Sequence, residues 1–273
     1  MQLKRMNFYT YFKQIFLIKK NSVLLWDPDR IIFNKIDKFR SIPLDLLIGI
    51  EKQKNSILEN TINFAKGHIT NNALLWGVRG SGKSTLIKSA FNELKNKYNI
   101  LRLIQLNKND LSSLDKVFAV ISKYKKFRFI IFIDDLSFEK NDSEYKTIKS
   151  TIDGSLQIQP SNIILYVTSN RRHLMSREMI DNEKSSAIHV DESVEEKVSL
   201  SDRFGLWIGF HNLSQNTYIN IIKSYCEFYN IEFNNNVIKD SIQWSLQRGN
   251  RTGRTAWQFI INISSKNNQL INY

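Results

Sequence analysis

At 273 residues the chain is long enough for one large α/β domain, or for such a core followed by a small second domain. Its 42% apolar and 24% charged residues are those of a globular protein, and no apolar run reaches the roughly 18 residues of a membrane span. A single cysteine, Cys226, excludes an internal disulfide and a thiolate metal cluster, and fits a reducing compartment, the cytoplasm or an organelle stroma.

The formal net charge of +13 suits contact with phosphodiester backbones and leaves DNA open as a partner, although a chain this rich in Lys, Asn and Ile gains part of that excess from composition alone. Residues 1–20 hold five Lys or Arg and no acid, but lack the long apolar stretch and small-residue cleavage site of a secretory leader. With Pro28 and Pro43 interrupting regularity, residues 1–43 read as a basic N-terminal arm, and membrane association is not expected.

From Leu44 the sequence turns periodic. Ile57, Leu58, Thr61, Ile62 and Ala65 fall on one helical face, and Gly67 can end that helix in the left-handed conformation. The apolar run ALLWG at 73–77 reads as a buried strand, and Leu86, Ile87, Ala90, Phe91 and Leu94 give the next helix its apolar stripe. Further strands are predicted at 100–105, 128–134, 162–169 and 206–210, with helices around 114–123, 143–153 and 193–203. Continuously apolar strands alternating with helices imply a parallel sheet covered on both faces. After His211 the strands stop, and the spacings of Tyr218, Ile221, Ile222 and Tyr225, of Val237, Ile238 and Ile242, and of Ala256 to Ile263 predict three helices. The fold class is therefore α/β, a P-loop-type sheet flanked by helices over 44–211, with a small all-helical lid over 212–273.

Between the strand at 73–77 and its helix stands GVRGSGKST, residues 77–85, which meets G-x-x-x-x-G-K-[ST] at Gly77, Gly82, Lys83 and Ser84. Gly77, Gly80 and Gly82 let the backbone of Val78, Arg79, Ser81 and Thr85 curl so that N–H groups point at phosphate oxygens, aided by the positive end of the helix. Lys83 would bridge the β- and γ-phosphates and Ser84 would offer its hydroxyl to Mg²⁺. Asp134 and Asp135 end the apolar run FIIFIDD: Asp134 would hold Mg²⁺ largely through water, and Asp135 would orient or deprotonate the attacking water. An aspartate is one methylene shorter than the glutamate usual at such a position, so either the water sits closer, or Glu139 assists, or turnover is slow. Asn170, at the tip of the next strand, can reach the γ-phosphate or the water. Arg203 precedes the last strand and reads as a finger toward a neighbouring subunit's nucleotide, against the plainer reading of a helix-end arginine. Arg254, on the first turn of the third C-terminal helix, can close onto the γ-phosphate.

In this order the segments LDLLIGIEKQK, the glycine loop, FIIFIDDLSFE, TSNRRHLM and EEKVSLSDRFGLW resemble the AAA+ ATPases over about residues 44–265. More narrowly they are similar to a bacterial and plastid family of AAA-type ATPases labelled as a domain of unknown function, in which paired Asp at the second motif is usual. The resemblance implies that Ile48 and Gly49 help cradle adenine, that Arg254 is the lid's sensor, and that the nucleotide is ATP rather than GTP. It supplies no substrate.

Two classes of function follow, with a third beside them. An ATP-hydrolysing AAA+ protein, self-associating through Arg203, would remodel or load a macromolecular client. A nucleotide-gated binding module with little hydrolysis is the alternative left open by Asp135. A monomeric P-loop transferase would need an acceptor-binding insertion, for which no segment stands out.

Overall fold

In a computed structural model of the chain, residues 8–137, 159–172 and 203–271 are described. The alternation read from the sequence becomes a seven-stranded sheet in the order β2-β1-β4-β5-β6-β3-β7. Its strands are β1 (Val23–Asp27), β2 (Ile32–Lys35), β3 (Ala73–Gly77), β4 (Leu101–Leu106), β5 (Arg128–Ile133), β6 (Ile163–Ser169) and β7 (Leu206–Phe210). All neighbours run parallel except the β1–β2 hairpin. Helices α1 (Phe8–Lys20), α2 (Glu51–Ala65), α3 (Lys83–Leu94) and α4 (Leu114–Ile121) belong to this layer, and α5 (Gln215–Phe228), α6 (Asn235–Gln247) and α7 (Gly253–Lys266) follow it. The five strands and the helices at 51–65, 83–94, 114–121 and in the C-terminal segment lie where periodicity puts them. The helix predicted at 143–153 falls outside the described residues, as does that at 193–203 except for its last residue, Arg203.

Burial explains why the strands read as unbroken apolar runs. All seven residues of β6 are buried, because helices cover both faces of the sheet. Leu75, Leu103, Ile130, Phe132, Tyr166 and Phe210 join one apolar cluster with α2, α3, α5 and α7. The alternating residues Leu74, Ile104, Ile131, Leu165 and Val167 join a second with Ile18 of α1 and with α4. The three C-terminal helices thus share apolar packing with α2, α3 and the sheet, through Tyr218, Ile222, Ala256 and Ile260.

The segment read as an arm is different from that expectation between residues 13 and 35. Val23, Leu24 and Leu25 pair in parallel with Leu103, Ile104 and Gln105, so β1 extends the sheet and β2 becomes its edge. Gln14 of α1 then covers that edge, accepting from the Phe33 N–H at 2.7 Å and donating to the Phe33 carbonyl at 3.4 Å. The buried Arg102 of β4 donates to the carbonyls of Ile18 (2.6 Å) and Lys19 (3.0 Å), satisfying the C-terminal end of α1, and to those of Asn99 and Leu101. A basic composition hid this docking, because the pairing partners lie about 80 residues away in sequence. Among the described residues no helix is long and apolar enough to cross a membrane.

Candidate nucleotide site

β3 lies between β6 and β7, whereas the next strand in sequence, β4, pairs on the far side of β5. The reversal opens a crevice beyond the carboxyl ends of β3, β5 and β6, the usual ligand position in such sheets. A cleft of about 560 Å³ occupies it. Arg79, Gly80, Ser81, Gly82, Lys83, Ser84 and Thr85 line it, as do Asp134, Asp135, Asn170 and Arg254. Residues from four separate stretches of sequence therefore meet there.

The loop owes its shape to its glycines. Gly77, Gly80 and Gly82 all have positive φ (130°, 77° and 99°), a region costly for residues with a β-carbon. At Gly77 a β-carbon would run into the Phe210 carbonyl of β7, the group that accepts from the Val78 N–H at 3.1 Å. The helix α3 that follows begins in the cleft wall, at Gly82, Lys83, Ser84 and Thr85, so the positive end of its dipole lies at the cleft. Ser81 carries a buried hydroxyl in the cleft wall that has no hydrogen-bond partner among the described residues, an acceptor and donor ready for a polar ligand.

Lys83 is nearly buried and donates to the carbonyls of Gly77 (2.9 Å) and Val78 (2.8 Å) and to Asn170 Oδ1 (3.1 Å). Burial pushes its ammonium down to about 8; Asp135 and Asp134 oppose the shift, and Arg254 and Arg79 add to it. Asn170 spends its other end on Asp135, donating Nδ2 to Oδ1. It can do so because β6 stands between β3 and β5, which puts the Asn170 amide between the lysine and the second carboxylate. Asp134 Oδ1 accepts from Ser84 at 2.5 Å and from Thr168 at 2.6 Å. Asp135 has φ +54°, a left-handed conformation that Asp tolerates better than most side chains.

The C-terminal helices close the cleft from the other side. The Arg254 N–H donates to the Gly80 carbonyl at 3.1 Å, and α7 begins at that point with Thr252 as its cap. Tyr225 of α5 and Trp257 of α7, with ring centroids 5.5 Å apart, form an aromatic wall. Ile42 and Leu47 add apolar surface.

Not every anticipated residue faces this space. Ile48, Gly49 and Arg203 are not among the residues lining the cleft. Gly49 (φ +81°) packs so closely on Thr217 of α5 that a β-carbon would overlap it, and its N–H donates to Glu51 at 3.0 Å. Glu139 lies outside the described residues. Arg172 lies against the rings of Trp76 and Trp207, 5.2 and 5.1 Å from their centroids. The sequence reading missed Thr168, Ile42, Leu47, Tyr225 and Trp257. The hydroxyl of Thr168, two residues before Asn170 on the same strand face, carried a usable signal; the apolar four carried none.

The chain matches a family model described as "Protein of unknown function (DUF815)" over residues 19–267. No match is found among curated proteins. Several solved structures share the fold. The RuvB Holliday junction branch migration motor of Thermotoga maritima is 18% identical, with a TM-score of 0.53, over 85% of this chain and 68% of that one. Domain III of the Thermotoga maritima replication initiation protein DnaA is 17% identical, with a TM-score of 0.53, over 82% and 88% of the two chains. A replication initiator DnaA bound to AMPPCP and single-stranded DNA is 18% identical, with a TM-score of 0.51, over 80% and 62%.

Proposed function

The chain belongs to the DUF815 family and has the AAA+ fold, and from that premise we propose that it binds and hydrolyses ATP, self-associates, and uses the cycle to remodel or load a macromolecular partner. The observation that carries this reading is the meeting of Lys83, Ser84, Asp134, Asp135 and Asn170 in one cleft onto which Arg254 closes from the C-terminal helices. On this reading residues 44–211 are the core, extended by β1 and β2, and 212–273 the lid.

The groups present fit a triphosphate with Mg²⁺. Loop N–H groups, the start of α3 and the unpartnered Ser81 hydroxyl offer donors to phosphate oxygens. Lys83 would exchange its loop carbonyls for the β- and γ-phosphates, a charge-assisted contact stronger than those it leaves. Ser84 and Asp134, already hydrogen-bonded to each other, would hold Mg²⁺, mostly through its water shell. Bound Mg²⁺ would neutralise charge on the phosphates. Asp135 would accept a proton from, or align, the attacking water, with Asn170 fixing its carboxylate. Arg254 would stabilise charge on the γ-phosphate from the lid. The base would lie against Ile42, Leu47, Tyr225 and Trp257, a largely apolar wall suited to a purine ring. Ile48 and Gly49 would act behind that wall.

Arg203 would serve a neighbouring copy's nucleotide, consistent with its absence from the lining of its own cleft. DNA is the partner class supported by the net charge and by the DnaA structure bound to single-stranded DNA, a likeness of fold alone. The short side chain of Asp135, an aspartate at the position given to the water, keeps the alternative open, a nucleotide-gated module with little hydrolysis.

The test is ATP binding by calorimetry, phosphate release, and particle size with and without ATP. Lys83→Ala should lose ATP binding, and Arg203→Ala should lose hydrolysis while still binding ATP. A Lys83→Ala chain that binds ATP as tightly as the parent sinks the site assignment. A chain that stays monomeric with ATP, with full activity in Arg203→Ala, sinks the self-association.

A further inference from the structure

We propose that Thr168 is a positioning residue for both cleft aspartates, setting how strongly Mg²⁺ tightens nucleotide binding; this rests on the ATP-binding reading above. Thr168 is 1% exposed and sits near the end of β6. The β5–β6 ladder runs to the pair Ile133 and Val167, so Thr168 stands beside Asp134 as β5 ends. Its hydroxyl does two things at once. It donates to Asp134 Oδ1 at 2.6 Å and accepts from the Asp135 N–H at 2.9 Å. Its own carbonyl accepts from the Leu136 N–H at 2.8 Å. Three consecutive residues, 134 to 136, are thereby tied to one threonine.

The middle tie matters because Asp135 has φ +54°. A residue in that conformation leaves the ladder, and a part-buried N–H without an acceptor is costly. The Thr168 hydroxyl supplies the acceptor, so the turned backbone that carries the Asp135 carboxylate to Asn170 is held in place. The first tie matters for a different reason. Asp134 Oδ1 has two hydroxyl donors, Ser84 and Thr168. If Ser84 turns its hydroxyl to a cation, Thr168 remains as the donor that orients the carboxylate. A hydrogen bond to an ionised carboxylate is worth more than a neutral one, and its loss translates to about tenfold or more in affinity.

Thr168→Val keeps the side-chain shape and removes the hydroxyl; Thr168→Ala removes it without adding a methyl; Thr168→Ser keeps it. Calorimetry with AMPPCP, in EDTA and then in excess Mg²⁺, reads positioning apart from turnover. The Val and Ala variants should bind AMPPCP in EDTA as the parent does, and lose about tenfold of the tightening that Mg²⁺ brings. In steady state the KM for ATP in Mg²⁺ should rise in step with that lost affinity while kcat falls, and Thr168→Ser should restore both measures. The assignment is overturned if hydroxyl-free variants keep the full Mg²⁺ effect, or if Thr168→Ser behaves like Thr168→Val. A parent chain that binds no nucleotide overturns the ATP reading and this inference with it, whereas a parent that binds beside unaffected variants overturns this inference alone.

Discussion

Replacing Gly80 by alanine tests whether the C-terminal helices lock onto the glycine loop. The backbone at Gly80 has φ +77°, and a β-carbon there would lie 2.9 Å from Arg254 Cβ and 3.0 Å from Thr252 Oγ1. Gly249 is the matched control, because its φ is +65° and nothing lies within 4 Å of an added β-carbon. Holding alanine in the left-handed region costs about 1–2 kcal/mol at either position. Gly80→Ala adds a forced shift of the loop against α7, roughly 1–3 kcal/mol for an overpacked contact. It also endangers the Arg254 N–H to Gly80 carbonyl bond, worth about 1 kcal/mol net. The sum is about 3–6 kcal/mol for Gly80→Ala against 1–2 for Gly249→Ala. At roughly 2–4 °C per kcal/mol in a chain of this size, Tm should fall by about 6–24 °C in the first and about 2–8 °C in the second. Scanning calorimetry of the two variants and the parent measures this. Equal losses would refute the claim that the loop and α7 are interlocked, since both glycines would then be costing only their φ.

ATP affinity should be level below about pH 7 and fall as Lys83 loses its proton through pH 8, by roughly tenfold near pH 9, because binding needs the charged form and burial pushes the lysine down to about 8. Lys83→Arg keeps its charge throughout and should flatten the profile; a parent profile already flat to pH 9 contradicts the role given to Lys83. Arg102→Leu should leave four carbonyls short of a donor and destabilise by about 3 kcal/mol. Hydrogen exchange should quicken in α1 first, with ATP affinity within about twofold of the parent, and slow exchange in α1 of the variant would show that Arg102 is not its anchor.

Much of the core was legible because its signals are local. The strand β3, the loop and α3 follow one another within residues 73–94, and apolar run, glycine spacing and helical stripe each report their own stretch of backbone. Asp134, Asp135 and Asn170 were legible because a parallel sheet brings adjacent strand ends together whatever the loops between them do. The segment 23–35 was misread for the opposite reason: its strands are defined by pairing with β4, and a short run broken by Pro28 carries no sign of a distant partner. At the segment expected to cradle the base, Leu47 lines the cleft while its neighbours Ile48 and Gly49 do not, a difference of one position that no local spacing records.

By itself the sequence determined the elements, the glycine loop and the kinds of group at the strand ends, since these depend on spacing within a few residues. Tertiary structure decided which side chains share a volume. Thr168 reaches back to Asp134, Asn170 stands between Lys83 and Asp135, and Tyr225, Trp257 and Arg254 arrive from helices more than 130 residues beyond the loop. Those meetings depend on strand order and on apolar packing of the C-terminal helices against α2 and α3, which no local spacing records.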